Sequence, residues 1–139
     1  MNTTYPALIH YDQDDAAYIA EFPDLPGCLT AGGTAEEAAA MAKEALTGYL
    51  LSIMERGMDV PQPSKVRGAT MIEPDPSVAF ALWLRYARAR SGLTLTEAAD
   101  KLGVKYQSYQ KLENPAMANP TLKTIKKLER VFGEHVLAF

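Results

Sequence analysis

The chain has 139 residues, 47% of them apolar and 22% charged, a globular rather than a disordered composition. Its longest uninterrupted apolar run, Val78–Leu84, falls far short of the ~20 residues that cross a bilayer, and its single cysteine cannot form an internal disulfide. The formal charge of −3 joins two unlike halves: residues 1–75 carry twelve acidic and four basic side chains, −8, and residues 76–139 carry ten basic and five acidic, +5. That division predicts two domains with different partners, 1–73 and 74–139, the first suited to a basic protein and the second to phosphates. The start, MNTTYPALIHYD, has no basic segment leading into an apolar one. The expectation is a cytoplasmic protein with no membrane partner and no cofactor.

In chain order, Tyr5, Ala7, Ile9 and Tyr11 alternate with other residues at the period of a strand, and Ala16–Phe22 repeats the pattern. The intervening DQDD, Asp12–Asp15, predicts a hairpin turn. Pro6 cannot donate to a ladder, which places its part of the first strand at a sheet edge, and Cys28–Ala31 reads as a short third strand. Thr34-Ala-Glu-Glu37 has capping-box spacing. After it Ala38, Met41, Ala42, Ala45, Leu46, Tyr49, Leu50, Ile53 and Met54 recur at steps of three and four, one apolar helix face that should stop at Gly57. Leu51 falls off that face. Val60-Pro-Gln-Pro-Ser64 is a stiff connector, and Arg67–Glu73 returns as a last strand.

Two stretches of this half invite a catalytic reading. FPDLPGCLTAGGT, Phe22–Thr34, is rich in glycine, but it lacks the Gly-Lys-Ser/Thr ending of a phosphate loop and enters a helix with Glu36 and Glu37 in its first turn. Cys28 has no evident histidine partner, since the chain holds only His10 and His135. The stretch reads as scaffold. Asp12, Asp14 and Asp15, with Glu21, offer carboxylates for Mg²⁺ as in a metal-dependent nuclease, but aspartates in a hairpin turn serve local backbone bonds first. As contacts to a basic partner the acidic candidates are Asp12, Asp14, Asp15, Glu21 and Asp24.

FPDLPGC, TAGGT-x-EEA and the VPQPS tail, within residues 5–64, closely resemble the antitoxin half of the HicB family. The resemblance implies a degenerate RNase H-like α+β fold (β-β-β-α-β) without that fold's catalytic set. It also implies a partner, a HicA-like toxin: a small basic protein that cuts RNA with a histidine and that the antitoxin covers. The −8 charge suits such a partner.

In the second half Asp75-Pro76 starts a helix, with Asp at the cap and Pro in the first turn, that should run to Ser91. Two apolar lines, Val78/Leu82/Tyr86/Ala89 and Phe80/Trp83/Leu84/Ala87, predict burial on more than one side, against its own domain and either the first domain or a second chain. Thr94-Leu-Thr-Glu97 is another capping box, and Ala99, Gly103, Tyr109 and Leu112 follow at steps of four, six and three, the spacing of a helix-turn-helix. A second helix over about Tyr106–Glu113 then presents Tyr106, Gln107, Ser108, Gln110 and Lys111 outward, with Lys105 at its start. Gln pairs bidentately with adenine, Lys reaches guanine or phosphate, and Thr94 is a further candidate contact. Asn119-Pro-Thr-Leu opens a last helix through Val131, decorated by Lys123, Lys126, Lys127 and Arg130.

LTLTEAADKLGVKYQSYQKLENP, extended by NPTLKTIKKLERVFG, is similar to the phage-repressor (Cro/cI, XRE-type) helix-turn-helix over about residues 85–133. That family usually places Gln where Leu95 stands, Ser where Lys105 opens the recognition helix, and a small aliphatic residue where Tyr109 lies. Together the two resemblances imply a non-enzymatic antitoxin and autorepressor. It would silence a HicA-like toxin and bind double-stranded operator DNA as a homodimer or higher even homo-oligomer, with Val136–Phe139 completing the dimer contact or the core. A stand-alone regulator with a ligand-sensing first half and the Asp12/Asp14/Asp15 nuclease are the competing readings.

Overall fold

The computed structural model describes residues 3–135, so Val136–Phe139 and the dimer contact expected of them lie outside the described residues. The element order is β1 (Tyr5–Asp12), β2 (Ala17–Glu21), β3 (Leu29–Gly32), α1 (Ala35–Glu55), β4 (Thr70–Ile72), α2 (Pro76–Ser91), α3 (Leu95–Leu102), α4 (Tyr106–Leu112) and α5 (Leu122–Phe132). The chain forms two compact units that meet at Asp75 and Pro76.

The first unit is an antiparallel four-stranded sheet in the order β3-β2-β1-β4 with α1 lying across all four strands. At the β1–β2 turn Asp12 Oδ1 accepts from the backbone N–H of Asp14 (2.9 Å) and Asp15 (3.4 Å), and Ala16 adopts φ 49° to finish the reversal. In register, Tyr11 lies opposite Tyr18, their rings 5.2 Å apart edge to face, and Ile9 opposite Ala20. Tyr5, Ala7, Ala20 and Ile72 are buried under α1. The helix covers the sheet closely because Gly32 has no side chain: a Cβ there would lie 2.5 Å from the Ala38 nitrogen and 2.8 Å from the Glu37 carbonyl carbon.

Several expectations are corrected. β1 is an inner strand of the order, but it pairs with β4 only through Tyr5–Ala7 and with β2 only through Leu8–Asp12, so the part that holds Pro6 has a ladder on one side alone, as expected of a residue that cannot donate. β3 begins one residue late, after the buried Cys28, and β4 shrinks to three residues. The Thr34–Glu37 box forms in one direction, with Thr34 Oγ1 accepting from the Glu37 N–H at 3.0 Å. Met41 on the expected apolar face is 38% exposed, because the buried stripe of α1 is Ala38, Ala42, Leu46, Leu50, Ile53 and Met54. The stop behaves as expected: the N–H of Gly57 (φ 66°) donates to the Met54 carbonyl and that of Met58 to the Ile53 carbonyl, the paired bonds of a Schellman ending.

The glycine- and proline-rich stretch closes on itself. Leu25 N–H donates to the Phe22 carbonyl, Cys28 N–H to the Leu25 carbonyl and Phe22 N–H to the Cys28 carbonyl, around a fully buried Leu25. The connector is strapped to it: Tyr5 Oη donates to the Pro61 carbonyl at 2.6 Å, and Asp24 accepts from Ser64 N–H at 2.9 Å and Ser64 Oγ at 2.7 Å.

In the second unit α2 buries Val78 to Leu84 without interruption, together with Ala87. Trp83 packs edge to face on Phe132 (centroids 6.4 Å) and near Phe80 (6.1 Å). Leu128, Tyr109, Ala98, Ala99 and Leu102 complete this core. α5 begins three residues later than Asn119, because Thr121 is its cap and accepts from the Thr124 N–H at 3.1 Å.

Candidate nucleic-acid interface and partner surface

Three local signals build the α3–α4 pair. Thr94 Oγ1 accepts from the Glu97 N–H (3.1 Å) while Glu97 Oε1 accepts from the Thr94 N–H (3.0 Å), a complete capping box that holds the Glu97 carboxyl below its usual range. Gly103 at φ 78° ends α3, in a left-handed conformation that a side chain resists. Lys105 then starts α4 with no side-chain cap bond, as a lysine at that position should. Between the helices the small Ala99 is buried, which lets α3 and α4 approach.

One residue of α4 points inward. Tyr109 is fully buried, and burial pushes its hydroxyl far above the ordinary tyrosine range; its oxygen has no hydrogen-bond geometry to a described group. Every expected outward residue is exposed: Lys105, Tyr106, Gln107, Ser108, Gln110 and Lys111. Thr94 is exposed too, its oxygen engaged as a cap. Ser108 also borders a shallow groove of about 180 Å³ floored by Leu102, Val104 and Leu112 and edged by Lys127.

The charge of this unit is sorted by helix. Arg88 Nε and Nη2 bind the two Glu113 carboxylate oxygens at 2.6 and 3.1 Å, Arg88 Nη1 donates to the Leu93 carbonyl, and Arg85 Nε donates to the Glu113 carbonyl at 2.9 Å. Glu113 is 5% exposed and follows α4 directly, so two arginines of α2 anchor the end of the recognition helix. The hydrogen bonds that Arg88 donates to Glu113 raise the Arg88 pKa, whereas burial lowers that of Arg85. Arg90 binds Glu134, and the buried Glu129 is approached by Lys126 (3.4 Å) and His135 (3.6 Å). Lys105, Lys111, Lys123, Lys127 and Arg130 are exposed and enter no ion pair among the described residues. The Arg85/Arg88/Glu113 anchor was not legible in sequence, where Arg85 and Arg88 read as cations and Glu113 as a helix end. Only their meeting across α2 and α4 makes them a unit.

In the first unit the acidic candidates divide. Asp14 and Asp15 are exposed, Asp12 serves its own turn, and both Asp24 carboxylate oxygens are engaged by Ser64. Glu21 is exposed in the middle of the sheet, opposite Leu8 on one side and Leu29 on the other. Among the described residues no group of three or more His, Cys, Asp or Glu is placed to hold a metal ion. Burial raises the Cys28 thiol to about 11, so it is a protonated core group at neutral pH rather than a nucleophile. No helix among the described residues is long and apolar enough to cross a membrane.

An α+β sheet module followed by a helix-turn-helix with an exposed recognition helix defines a two-module DNA-binding regulator. The family model "HicB_like antitoxin of bacterial toxin-antitoxin system" matches residues 5–83, and a helix-turn-helix model matches residues 84–139. The chain belongs to the HicB-like antitoxin family. "Antitoxin HicB 2" of Photorhabdus laumondii is 29% identical over 135 residues, covering 97% of this chain and 94% of that protein. "Antitoxin HicB" of Escherichia coli K12 is 33% identical over 101 residues, covering 72% of this chain and 73% of that one. Among solved structures, the crystal structure of the Burkholderia pseudomallei antitoxin HicB aligns over 55% of this chain and 67% of that chain at 28% identity with a TM-score of 0.47.

Proposed function

We propose that this chain is a cytoplasmic, non-catalytic antitoxin and autorepressor. Its first unit captures a HicA-like RNA-cleaving toxin and blocks that toxin's RNA surface. Its second unit binds the operator of the same operon, as a dimer or higher even oligomer reading half-sites about one helical turn apart. The observation that carries this reading is the union in one chain of a HicB-like module of charge −8 with a helix-turn-helix of charge +5. A negative surface competes with RNA for a basic protein, and a positive one is drawn to a duplex.

The residues assigned to DNA are Lys105, Tyr106, Gln107, Ser108, Gln110 and Lys111, with Gln107 and Gln110 reading bases and the lysines contacting phosphates. The test is co-expression of the full chain with any short basic reading frame that neighbours its gene. The two proteins should co-elute, the toxin's RNA cleavage should be suppressed, and the complex or the free chain should shift promoter DNA of that operon over competitor. A chain that purifies alone, leaves RNA cleavage intact and shows no promoter preference would refute the proposal.

A further inference from the structure

We propose that the toxin docks on the face of the sheet opposite α1, an apolar surface built by Leu8, Ile19, Leu29, Ala31 and Met71 around the carboxylate of Glu21. This rests on the antitoxin reading above and places its binding surface, which neither the acidic turn nor the family match locates. Strand alternation and register define the face. Leu8, Glu21 and Leu29 form one row across β1, β2 and β3, and His10, Ile19 and Ala31 form the next. The intervening rows, Ile9/Ala20/Thr30 and Tyr11/Tyr18/Gly32, face α1, as the contact between Gly32 and Ala38 requires. Met71 joins the opposite face through its pairing with Pro6, whose own side chain is fully buried at that end of the face.

An ordinary half-exposed antiparallel sheet turns polar side chains to water. This one turns Leu29, 59% exposed, and Met71, 49% exposed, with Leu8 and Ile19 half-buried beside them. No helix of the first unit lies on this side, since α1 occupies the other. The strands carry no lysine or arginine: the unit's four cations are Lys43 and Arg56 on α1 and its end, and Lys65 and Arg67 in the connector. The surface is therefore an apolar centre with a negative charge in it and Asp12, Asp14 and Asp15 at the turn between β1 and β2, the composition of a contact for a basic protein. A second copy of this chain suits it poorly. A two-fold contact would oppose one Glu21-bearing face to another and bring together two units of charge −8.

The experiment is titration of the full-length chain with the HicA-like toxin encoded beside it, carrying an inactivating substitution, with native mass measurement of both. Leu29→Asp combined with Met71→Asp keeps the acidic sign and removes only exposed apolar side chains, so folding, checked by circular dichroism, is retained. The pair should weaken toxin binding by about 30-fold or more, whereas Lys43→Ala on α1 should change it by no more than about 2-fold. Glu21→Lys, a second variant on the same face, should weaken it likewise. Parental affinity in the double variant and in Glu21→Lys, with a parental chain that binds, would overturn the placement and leave the antitoxin reading standing. A variant that lowers the mass of the free chain without changing toxin affinity would make the face a self-association surface and overturn it as well. A parental chain that binds no toxin would remove the antitoxin reading, and this inference with it.

Discussion

The anchor at the end of the recognition helix supplies the sharpest quantitative test. Glu113 is nearly buried and accepts two hydrogen bonds from Arg88, at 2.6 and 3.1 Å, while Arg88 keeps a quarter of its side-chain surface in water. Glu113→Gln preserves shape, removes the carboxylate charge and leaves one guanidinium-to-amide bond in place of two guanidinium–carboxylate ones, each worth ~1.5–3 kcal/mol. Part of that loss returns because the partly exposed guanidinium recovers hydration, so the expected cost is about 2–3 kcal/mol; Glu113→Ala, which also opens a cavity, should cost ~3–5 kcal/mol. Trp83, the sole tryptophan, is 1% exposed in the same unit and reports its unfolding by fluorescence. With a urea slope of ~1–3 kcal/mol/M, the Glu113→Gln midpoint should fall by about 0.7–3 M. Replacing both partners by apolar residues, Arg88→Met with Glu113→Leu, should recover most of the loss, to within ~1 kcal/mol of the parent, since an ion pair exchanged for packed hydrophobic groups is close to neutral. A Glu113→Gln midpoint unchanged within about 0.2 M would refute the reasoning. So would a double variant no better than the single.

Three further outcomes are expected. Gly32→Ala should destabilise the first unit by ~1–3 kcal/mol, since its Cβ meets the backbone of Ala38 rather than a movable side chain, whereas Gly48→Ala, with open space around it inside α1, should stabilise by ~0.5–1 kcal/mol; thermal melts separate the two. Cys28, its thiol raised to about 11 by burial, should resist iodoacetamide at pH 8 in the folded chain and react readily in urea. The sign follows from the neutral thiol being the form that burial favours: its contribution to stability is complete below the unfolded cysteine pKa, ~8.5, and is lost as pH climbs through the raised value, so alkaline denaturation should begin earlier than in Cys28→Ala. Gln107→Ala with Gln110→Ala should abolish operator preference in a competitive gel shift and leave toxin capture intact, while Lys111→Ala should weaken all duplexes alike and flatten the salt dependence by about one unit per protomer.

Much of the architecture was legible without coordinates because it is written in local chemistry. The boxes at Thr34 and Thr94, the glycines at 57, 103 and 133 and the period-two runs of β1 and β2 each act within a few residues of themselves, and the structure uses them nearly where the pattern puts them. The same holds for the outward set on α4, since Tyr109 takes the inward position and leaves Gln107 and Gln110 to solvent. Where the reading slipped, the signal was shared between distant segments. Pro6 marks a part of β1 with a free side toward β2, but no local pattern says that β4 returns 65 residues later to pair with its other side.

The sequence by itself determined the division into an acidic strand-rich half and a basic helical half, the caps and stops of α1 and α3 and the residues that a recognition helix turns outward, because composition, caps and periodicity operate over one or two turns of chain. Only the tertiary structure decided that Asp24 holds the connector at Ser64, that Arg85 and Arg88 anchor Glu113, and that Leu8, Ile19, Leu29 and Met71 gather round Glu21 on the face of the sheet opposite α1. Those arrangements depend on which strand lies beside which and which helix crosses which. Burial and pairing over long sequence separations set that order, through the free energy of the whole packed unit rather than the preference of any single residue.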